Sequence, residues 1–323
     1  MWKVLIVGLG QIGIGYDYHL HPDDYILTHA QAFQAHPLFE LVGGVDPNPV
    51  QRELFAKKYH RPIFADLNDA LKKTQSQIVV IALPTVLHGD AIRTILQESN
   101  PVPVAIVCEK PLSYDLEEAR QIEKMCAVQG CRLYVNYMRR SDPGVAEIKR
   151  RLDTRLIDPL VKGTVWYSKG LFHNGSHFFN LLQYWLGSVE KFQVIEPGRL
   201  WDGIDPEPDV QITFTRGSVT FLAADEKNFS HCTVELIAKN GRLFYARGGE
   251  TITWQAAIQD PLLKGYTRLT SSEEMIKTET GRRSQYQVIE QLALSLAGKE
   301  AQICEGSEAL RTLESLSAIR NTL

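Results

Sequence analysis

The chain has 323 residues, and its 35 lysines and arginines nearly balance 38 aspartates and glutamates, which gives a net charge of −3. At about 150 residues per domain this length predicts two domains, and the charge excludes the strongly basic surface that nucleic acid or an anionic membrane would need. With 44% hydrophobic and 23% charged residues, the chain is neither disordered nor collagen-like. Because its five cysteines lie in no CxxC or Cys/His cluster and no apolar run reaches the roughly 18 residues of a membrane span, we expect a cytoplasmic protein without disulfides.

Short apolar, β-branched runs alternate with helical periods through the first 135 or so residues. The runs are typical of buried parallel strands and occupy residues 3–7, 39–45, 78–82, 104–108 and 131–135. Helical periodicity covers residues 30–35, 50–59, 67–73, 87–97 and 116–129. Strand, helix, strand at this spacing predicts right-handed βαβ units, and therefore an α/β domain with a doubly wound parallel sheet.

The pattern changes after residue 144. A helix at 145–152, a strand at 161–168 and a helix at 175–186 are followed by two strand pairs, 210–214 with 218–222 and 233–238 with 242–246. Helices at 284–297 and 306–321 close the chain. We therefore expect an N-terminal domain over residues 1–138 and a second domain over residues 139–323, whose alternating strands form a sheet with one buried face.

The first strand is followed at once by Gly8-Leu9-Gly10-Gln11-Ile12-Gly13, a GxGxxG sequence. Such glycines permit a tight turn and a close backbone approach to a pyrophosphate, whose charge is met by amides at a helix N-terminus. Asp46 ends the second strand, where a carboxylate binds ribose hydroxyls and repels a 2′-phosphate. The loop, with Gly8, Gly10, Gln11, Ile12 and Gly13, and Asp46 therefore predict an NAD site, with NADP less favoured.

Residues 14–28 are an insertion, because Asp46 lies 33 residues after Gly13 instead of about 20. Two interpretations stay open: a loop over the cofactor or substrate cleft, or a surface decoration. The insertion contains His19, His21, Asp23 and Asp24, but their spacing matches no recognised ligand pattern. We expect no metal.

Two more segments follow predicted strands of the first domain. Pro84, Thr85 and His88 follow the third strand, and Glu109-Lys110-Pro111 follows the fourth. Doubly wound sheets bind ligands outside the carboxyl ends of their strands. We therefore expect cofactor contacts from Pro84, Thr85, His88, Glu109 and Lys110.

Taken together, these motifs resemble the Gfo/Idh/MocA oxidoreductases, the family of glucose-fructose oxidoreductase, inositol dehydrogenase and rhizopine-catabolism enzymes. The resemblance rests on the glycine loop, Asp46, Ala82-Leu83-Pro84-Thr85-x-x-His88, Glu109-Lys110-Pro111 and Asn136-Tyr137-x-Arg139-Arg140. Gly175-Ser176-His177-x-x-Asn180 is similar to the family's GxHxxD, so the resemblance covers essentially the whole chain. It implies a Rossmann domain followed by an α/β domain with an open, mostly antiparallel sheet, and an active site between them.

The resemblance also implies catalytic roles. Lys110 matches the family's catalytic lysine, which hydrogen-bonds the reacting hydroxyl, and partial desolvation beside an oxidised nicotinamide would suit it to proton transfer near neutral pH. Relatives often carry a cis peptide before the proline of this motif, here Pro111. His177 matches the second-domain histidine that binds the substrate hydroxyl or exchanges its proton.

Two departures affect that picture. His173 stands where many relatives carry an aspartate, and Asn180 replaces the final aspartate of GxHxxD. The proton relay must then be rebuilt from His173, Asn174 or the substrate, which makes His173 a third candidate catalytic residue. The segment 166–175 is also short, which implies a more open pocket.

Basic side chains near that pocket bear on the substrate. Lys169, Arg139 and Arg140 could meet the phosphate or carboxylate of a nucleotide-linked sugar or a sugar acid, or could equally be solvated or paired with acidic neighbours. The expected substrate contacts are Lys110, Asn136, Arg139, Lys169, Asn174 and His177.

These expectations describe an NAD-dependent dehydrogenase that moves a hydride between nicotinamide and a hydroxyl-bearing carbon of a sugar derivative. The alternatives are an inositol or polyol dehydrogenase, or a non-catalytic regulator that binds a dinucleotide and a sugar. Relatives are commonly dimers or tetramers, so we expect a homodimer or homotetramer, with neither nucleic acid nor a membrane as partner.

Overall fold

The computed structural model describes residues 1–224 and 229–323. The chain divides into two compact units, Met1–Ser141 with Gly281–Arg311 and Asp142–Thr280 with Thr312–Leu323. The predicted division at residue 138/139 differs in one respect, because residues 281–311 pack with the first unit. The physical reason is a shared core: Val288, Ile289 and Leu292 lie in the same buried cluster as Val4 and Phe33.

The first unit contains a parallel sheet with helices between its strands. Its strands are β1 (Trp2–Val7), β2 (Phe39–Val45), β3 (Ile63–Phe64), β4 (Ile78–Ile81), β5 (Ala105–Cys108) and β6 (Arg132–Val135). Its helices are α1 (His29–Ala35), α2 (Pro49–Tyr59), α3 (Leu67–Thr74), α4 (His88–Glu98), α5 (Leu116–Val128) and α8 (Ser284–Leu296). The strand order β3-β2-β1-β4-β5-β6 reverses direction between β1 and β4, which is the Rossmann arrangement and confirms the doubly wound prediction.

Local chemistry explains where several of these elements begin. The side chains of Thr28, Asp66 and Asp115 accept backbone hydrogen bonds at the starts of α1, α3 and α5. Strands β4 and β5 are buried along their whole length, as continuous apolar runs predict for a sheet covered on both faces.

The second unit contains a mixed, mostly antiparallel sheet. Its strands are β7 (Val161–Tyr167), β8 (Val189–Trp201), β9 (Asp205–Phe214), β10 (Gly217–Ala223), β11 (Thr233–Ala238), β12 (Gly241–Ala246), β13 (Thr251–Gln259), β14 (Thr267–Leu269) and β15 (Glu274–Ile276). The order is β14-β13-β12-β11-β7-β10-β9-β8, with β15 beside β13, and among the described strands of this second sheet only β7 and β10 pair in parallel. This arrangement confirms the expected second sheet.

Helices α6 (Pro143–Asp153), α7 (Ser176–Leu186) and the end of α9 (Gly306–Arg320) belong to the second unit. The apolar side of α7 packs on the sheet, where Phe179 contacts the rings of Phe214 and Phe221, and Trp185 contacts Tyr245.

Sequence periodicity did not predict β8 or β13. Strand β8 has few buried side chains, so it lacks the apolar alternation by which strands are recognised. No helix in the described ranges is long and apolar enough to span a membrane.

Candidate functional site

The glycine loop follows β1 and lies against the end of β4. Gly8 has φ +95°, and a Cβ there would lie 2.4 Å from the carbonyl oxygen of Ala82. A Cβ on Gly13 would lie 2.2 Å from the carbonyl oxygen of Gly8, whereas one on Gly10 would meet nothing within 4 Å. Gly8 and Gly13 thus permit the tight turn, and Gly10 leaves open space above the loop. These features fit the pyrophosphate of a dinucleotide.

The structure after the glycine loop differs from the helix that the sequence predicted there. Gln11–Gly15 form a single π-helical turn in which the amides of Ile14 and Gly15 both donate to the Gly10 carbonyl, and α1 begins only at His29. The exposed Gln11 and half-buried Ile12 lie on this turn. The amides closest to a bound pyrophosphate therefore belong to a short turn, because the insertion interrupts the helix.

Asp46 lies at the end of β2, beside the glycine loop. Its Oδ2 accepts the Leu9 amide at 2.9 Å, and its Oδ1 accepts the Asn48 amide at 2.8 Å. The Arg52 guanidinium donates to the main-chain oxygens of Asp46 and Pro47. The carboxylate is thus held in a fixed orientation at the place where an adenosine ribose binds in a Rossmann domain.

The insertion at residues 14–28 is anchored by Asp17. This nearly fully buried carboxylate accepts the amides of Leu27 and Thr28, at 2.7 and 2.9 Å, and the Thr28 hydroxyl at 2.7 Å. The Lys58 ammonium donates to the main-chain oxygens of Asp17 and Tyr18. Asp17 therefore anchors the C-terminal end of the insertion and fixes the start of α1, whereas residues 19–24 are exposed. Nowhere in the two described ranges do three or more His, Cys, Asp or Glu side chains group as a metal would require.

The three residues after β4 that were predicted to contact the cofactor differ in their exposure. Pro84 is exposed and Thr85 is half-buried, but the His88 imidazole is fully buried. Its Nδ1 lies 3.1 Å from the Pro111 carbonyl oxygen, and its Nε2 lies 2.9 Å from that of Leu83. The prediction that His88 contacts the cofactor is corrected here, because its ring nitrogens face main-chain carbonyls and brace the turn after Lys110.

Glu109 also turns inward. Its Oε1 lies 2.7 Å from His29 Nε2 and accepts a 2.6 Å hydrogen bond from Asn136 Nδ2, and only 14% of the side chain is exposed. Burial raises the pKa of Glu109, but the hydrogen bonds from His29 and Asn136 and the charges of His29 and Lys110 outweigh it, so the pKa is lowered. The Glu109 carboxylate is therefore ionised, and one of its oxygens is engaged by His29 and Asn136. These contacts direct the side chain toward the interior of the first unit and not toward a cofactor.

Asn136 and His29 complete this buried group. Asn136 is 3% exposed, and its Nδ2 also lies 3.3 Å from the Oε1 of the buried Gln285, so its amide nitrogen is engaged within the first unit. His29 was missed by sequence analysis, since its only signal was a position after the helix cap Thr28, eighty residues from Glu109.

Lys110 directly follows Glu109 in the chain and is half-buried. Its peptide bond to Pro111 is cis, as expected.

In the second unit, a turn at Gly170–Gly175 carries His173 and Asn174. Asp205 accepts the backbone amides of Phe172 and His173, at 3.0 and 2.8 Å, and the His173 ring stacks on Trp201 with centroids 4.9 Å apart. Burial raises the pKa of Asp205, as does the charge of Glu207, and these effects outweigh the amide donors. The β8–β9 hairpin therefore holds this turn, which the sequence did not indicate.

His177 and Asn180 lie on the first turns of α7. His177 is 8% exposed, and Asn180 is buried and donates from Nδ2 to Thr312 Oγ1 at 3.0 Å. Asn180 thus has a packing role within the second unit, at the position where the family motif has an aspartate. Asn174 lies in the preceding turn and is half-buried.

The three basic side chains considered as substrate contacts also differ in exposure and in their partners. Arg140 is 5% exposed and pairs with Glu308 at 2.9 Å, which agrees with the alternative of an acidic neighbour for this residue. Arg139 is half-buried in a short 3-10 turn, and Lys169 is half-buried with φ +63° at the start of the Gly170–Gly175 turn. Arg139 and Lys169 keep the exposure that an anionic substrate group would require.

Comparison with known proteins agrees with this geometry. Residues 2–137 match the family described as "Oxidoreductase family, NAD-binding Rossmann fold". Scyllo-inositol 2-dehydrogenase (NAD(+)) of Bacillus subtilis is 30% identical over 156 residues, 47% of this chain and 40% of that protein. The chain therefore aligns with about two fifths of the length of that curated relative.

Solved structures match over nearly the whole chain. An NAD binding oxidoreductase from Klebsiella pneumoniae has a TM-score of 0.78 at 14% identity, covering 99% of this chain and 96% of that one. The WlbA dehydrogenase of Bordetella pertussis, in complex with NADH and UDP-GlcNAcA, has a TM-score of 0.73 at 18% identity, covering 99% and 95%. At these identities the likeness shows a shared fold.

Proposed function

Because residues 2–137 match this oxidoreductase family, we propose that the chain is a Gfo/Idh/MocA-type enzyme, an NAD-dependent dehydrogenase acting on a hydroxyl-bearing carbon of a sugar derivative. The observation that carries this proposal is the placement of two features at one sheet edge. The open glycine loop follows β1 and Lys110 follows β5, and only β4 lies between these strands. At about 4.8 Å between strands, the two features lie roughly 10 Å apart, which suits the pyrophosphate and the nicotinamide of one dinucleotide.

The residues present fit NAD. Gly8, Gly10 and Gly13 would hold the pyrophosphate, and Asp46 would hold the adenosine ribose and exclude a 2′-phosphate. Bound NAD supplies the hydride acceptor or donor. Lys110 would take the proton of the substrate hydroxyl during oxidation and return it during reduction.

The second unit would supply the remaining substrate contacts. His177 would orient the hydroxyl, and His173, held by Asp205 and Trp201, would take the place of the family's missing aspartate. Asn174, Lys169 and Arg139 are the further substrate contacts that we propose, and Asn136 acts indirectly, through Glu109. A nucleotide-linked sugar or a sugar acid would use the two basic side chains. A homodimer or homotetramer and a cytoplasmic location belong to the same proposal.

An inositol or polyol is the second candidate substrate, favoured by the likeness to scyllo-inositol 2-dehydrogenase. The test is NADH formation with NAD⁺ and a panel of inositols, free sugars, nucleotide sugars and sugar acids. Lys110→Met should abolish a substrate-dependent signal, whereas Lys73→Met, at an exposed lysine paired with Asp69, should preserve it. Silence across the panel with intact NADH binding would refute the dehydrogenase and favour the non-catalytic regulator.

A further inference from the structure

The proposed function leaves unexplained a largely buried polar group at Glu109, the residue that precedes Lys110 in the chain. Glu109 Oε1 is contacted at 2.7 Å by His29 Nε2 and at 2.6 Å by Asn136 Nδ2. His29 is fully buried, and Asn136 is held in turn by Gln285. Two elements far apart in sequence, the start of α1 and the segment after β6, thus converge on one carboxylate oxygen, and α8 contacts the second of them through Gln285.

The direction of the His29 hydrogen bond follows from the charge on Glu109. Because the Glu109 pKa is lowered, the carboxylate is ionised and can only accept, so His29 Nε2 carries the hydrogen. Among the described residues no hydrogen-bond partner is found for His29 Nδ1. Within the described residues, the His29 side chain therefore donates its hydrogen bond to Glu109.

The Glu109 carboxylate lies against the main chain of Lys110, whose amide donates to Glu109 Oε2 at 3.4 Å. The titratable groups that face it are His29, Lys110 and Cys108, and of these Lys110 is the cation whose charge lowers the Glu109 pKa, in addition to His29. The interaction is mutual, because an anion beside an ammonium favours the charged amine. Cys108 is buried, and its thiol pKa is raised well above the usual value, so it adds no charge.

We propose that His29 is a positioning residue, which with Asn136 fixes the Glu109 carboxylate as the counter-charge that sets the protonation of Lys110. This inference rests on the proposed function only in naming Lys110 as the group that handles the substrate proton. Glu109 is then a buried electrostatic element, and the insertion that fixes the start of α1 through Asp17 has a role in holding His29 in place.

The test measures Lys110 itself and needs no substrate. Pulse acetylation with acetic anhydride from about pH 6 to about pH 11, quantified by peptide mass spectrometry, reports the fraction of neutral amine at each lysine. Glu109→Gln should move the Lys110 labelling midpoint down by about one pH unit, because the ammonium loses its nearby anion. Exposed Lys73 serves as the internal reference and should label identically in every variant.

Variants of His29 separate positioning from packing. His29→Leu should move the Lys110 midpoint in the same direction as Glu109→Gln, by a smaller amount, because an unheld carboxylate turns away. His29→Gln keeps an N–H donor and should restore most of the native midpoint. His36→Leu is the matched control, since His36 is a buried histidine at the end of the same helix that pairs with Glu290. Should His29→Leu not fold, Asn136→Val removes the other donor to the same oxygen, and a downward shift is again expected.

The outcomes are distinct. A Lys110 midpoint that stays at its native value in Glu109→Gln, or in folded His29→Leu, overturns the inference even if the enzyme oxidises a sugar. The expected shifts in a protein that oxidises nothing on the panel support the inference and refute the proposed dehydrogenase. In an active enzyme the rise of the oxidation rate with pH should move together with the labelling midpoint.

Discussion

Gly10→Ala should separate cofactor binding from folding more cleanly than any other change in the glycine loop. Gly10 has φ −75° and ψ −155°, which alanine can adopt, and its Cβ would meet no protein atom within 4 Å. We expect the free energy of unfolding to change by no more than about 0.5 kcal/mol, or roughly 2 °C in Tm. The added methyl group would stand where the pyrophosphate must approach the backbone.

Loss of one charge-assisted hydrogen bond to the pyrophosphate is worth about 1.5–3 kcal/mol, so NADH affinity should fall about tenfold or more. Fluorescence titration with NADH and calorimetric unfolding measure the two quantities on the same sample. Gly13→Ala is the contrast, because its Cβ would lie 2.2 Å from the Gly8 carbonyl oxygen and should cost about 1–3 kcal/mol of stability. Native NADH affinity in Gly10→Ala would refute the assignment of this loop to the pyrophosphate.

Three further predictions concern the cofactor, the pH dependence and the core. Asp46→Ser should raise the ratio of NADP to NAD affinity about tenfold or more, measured by paired titrations, and an unchanged ratio would contradict the ribose assignment. Hydrogen bonds from Arg150 and Arg151 lower the pKa of Glu147 to about 2 against partial burial, so its stabilisation is present above its unfolded pKa near 4.5 and is lost as the pH falls towards 2. Discounted for exposure, Glu147→Gln should remove about 1 kcal/mol at pH 7 and reduce the loss of urea-unfolding stability over that acid range by the same amount, whereas an acid dependence identical to that of the native protein would contradict the pairing. Trp185→Phe should cost about 1–3 kcal/mol in urea unfolding, because its buried indole donates at 3.0 Å to a carbonyl oxygen of α6, and a loss below about 0.5 kcal/mol would show that this bond contributes little.

The sequence by itself determined the fold class and the order of elements in the first unit. Strands β1, β2, β4, β5 and β6 are short and mainly apolar, because a sheet covered on both faces buries most side chains of its strands. The glycine loop and Asp46 were likewise readable, since their roles depend on backbone geometry next to a strand end. Local patterns of this kind carry their physical cause within a few residues.

Only the tertiary structure decided which polar side chains face inward. His88 was predicted to contact the cofactor, and for Arg140 substrate contact and pairing with an acidic neighbour both stayed open. In the structure His88 faces main-chain carbonyls and Arg140 pairs with Glu308, all inside the first unit. His29 reaches Glu109 from eighty residues away, and Asp205 holds the turn of His173 from a strand that periodicity predicted only from residue 210. A hydrogen bond between distant residues leaves no periodic trace in either segment, so burial and partner choice at such positions are set by packing alone.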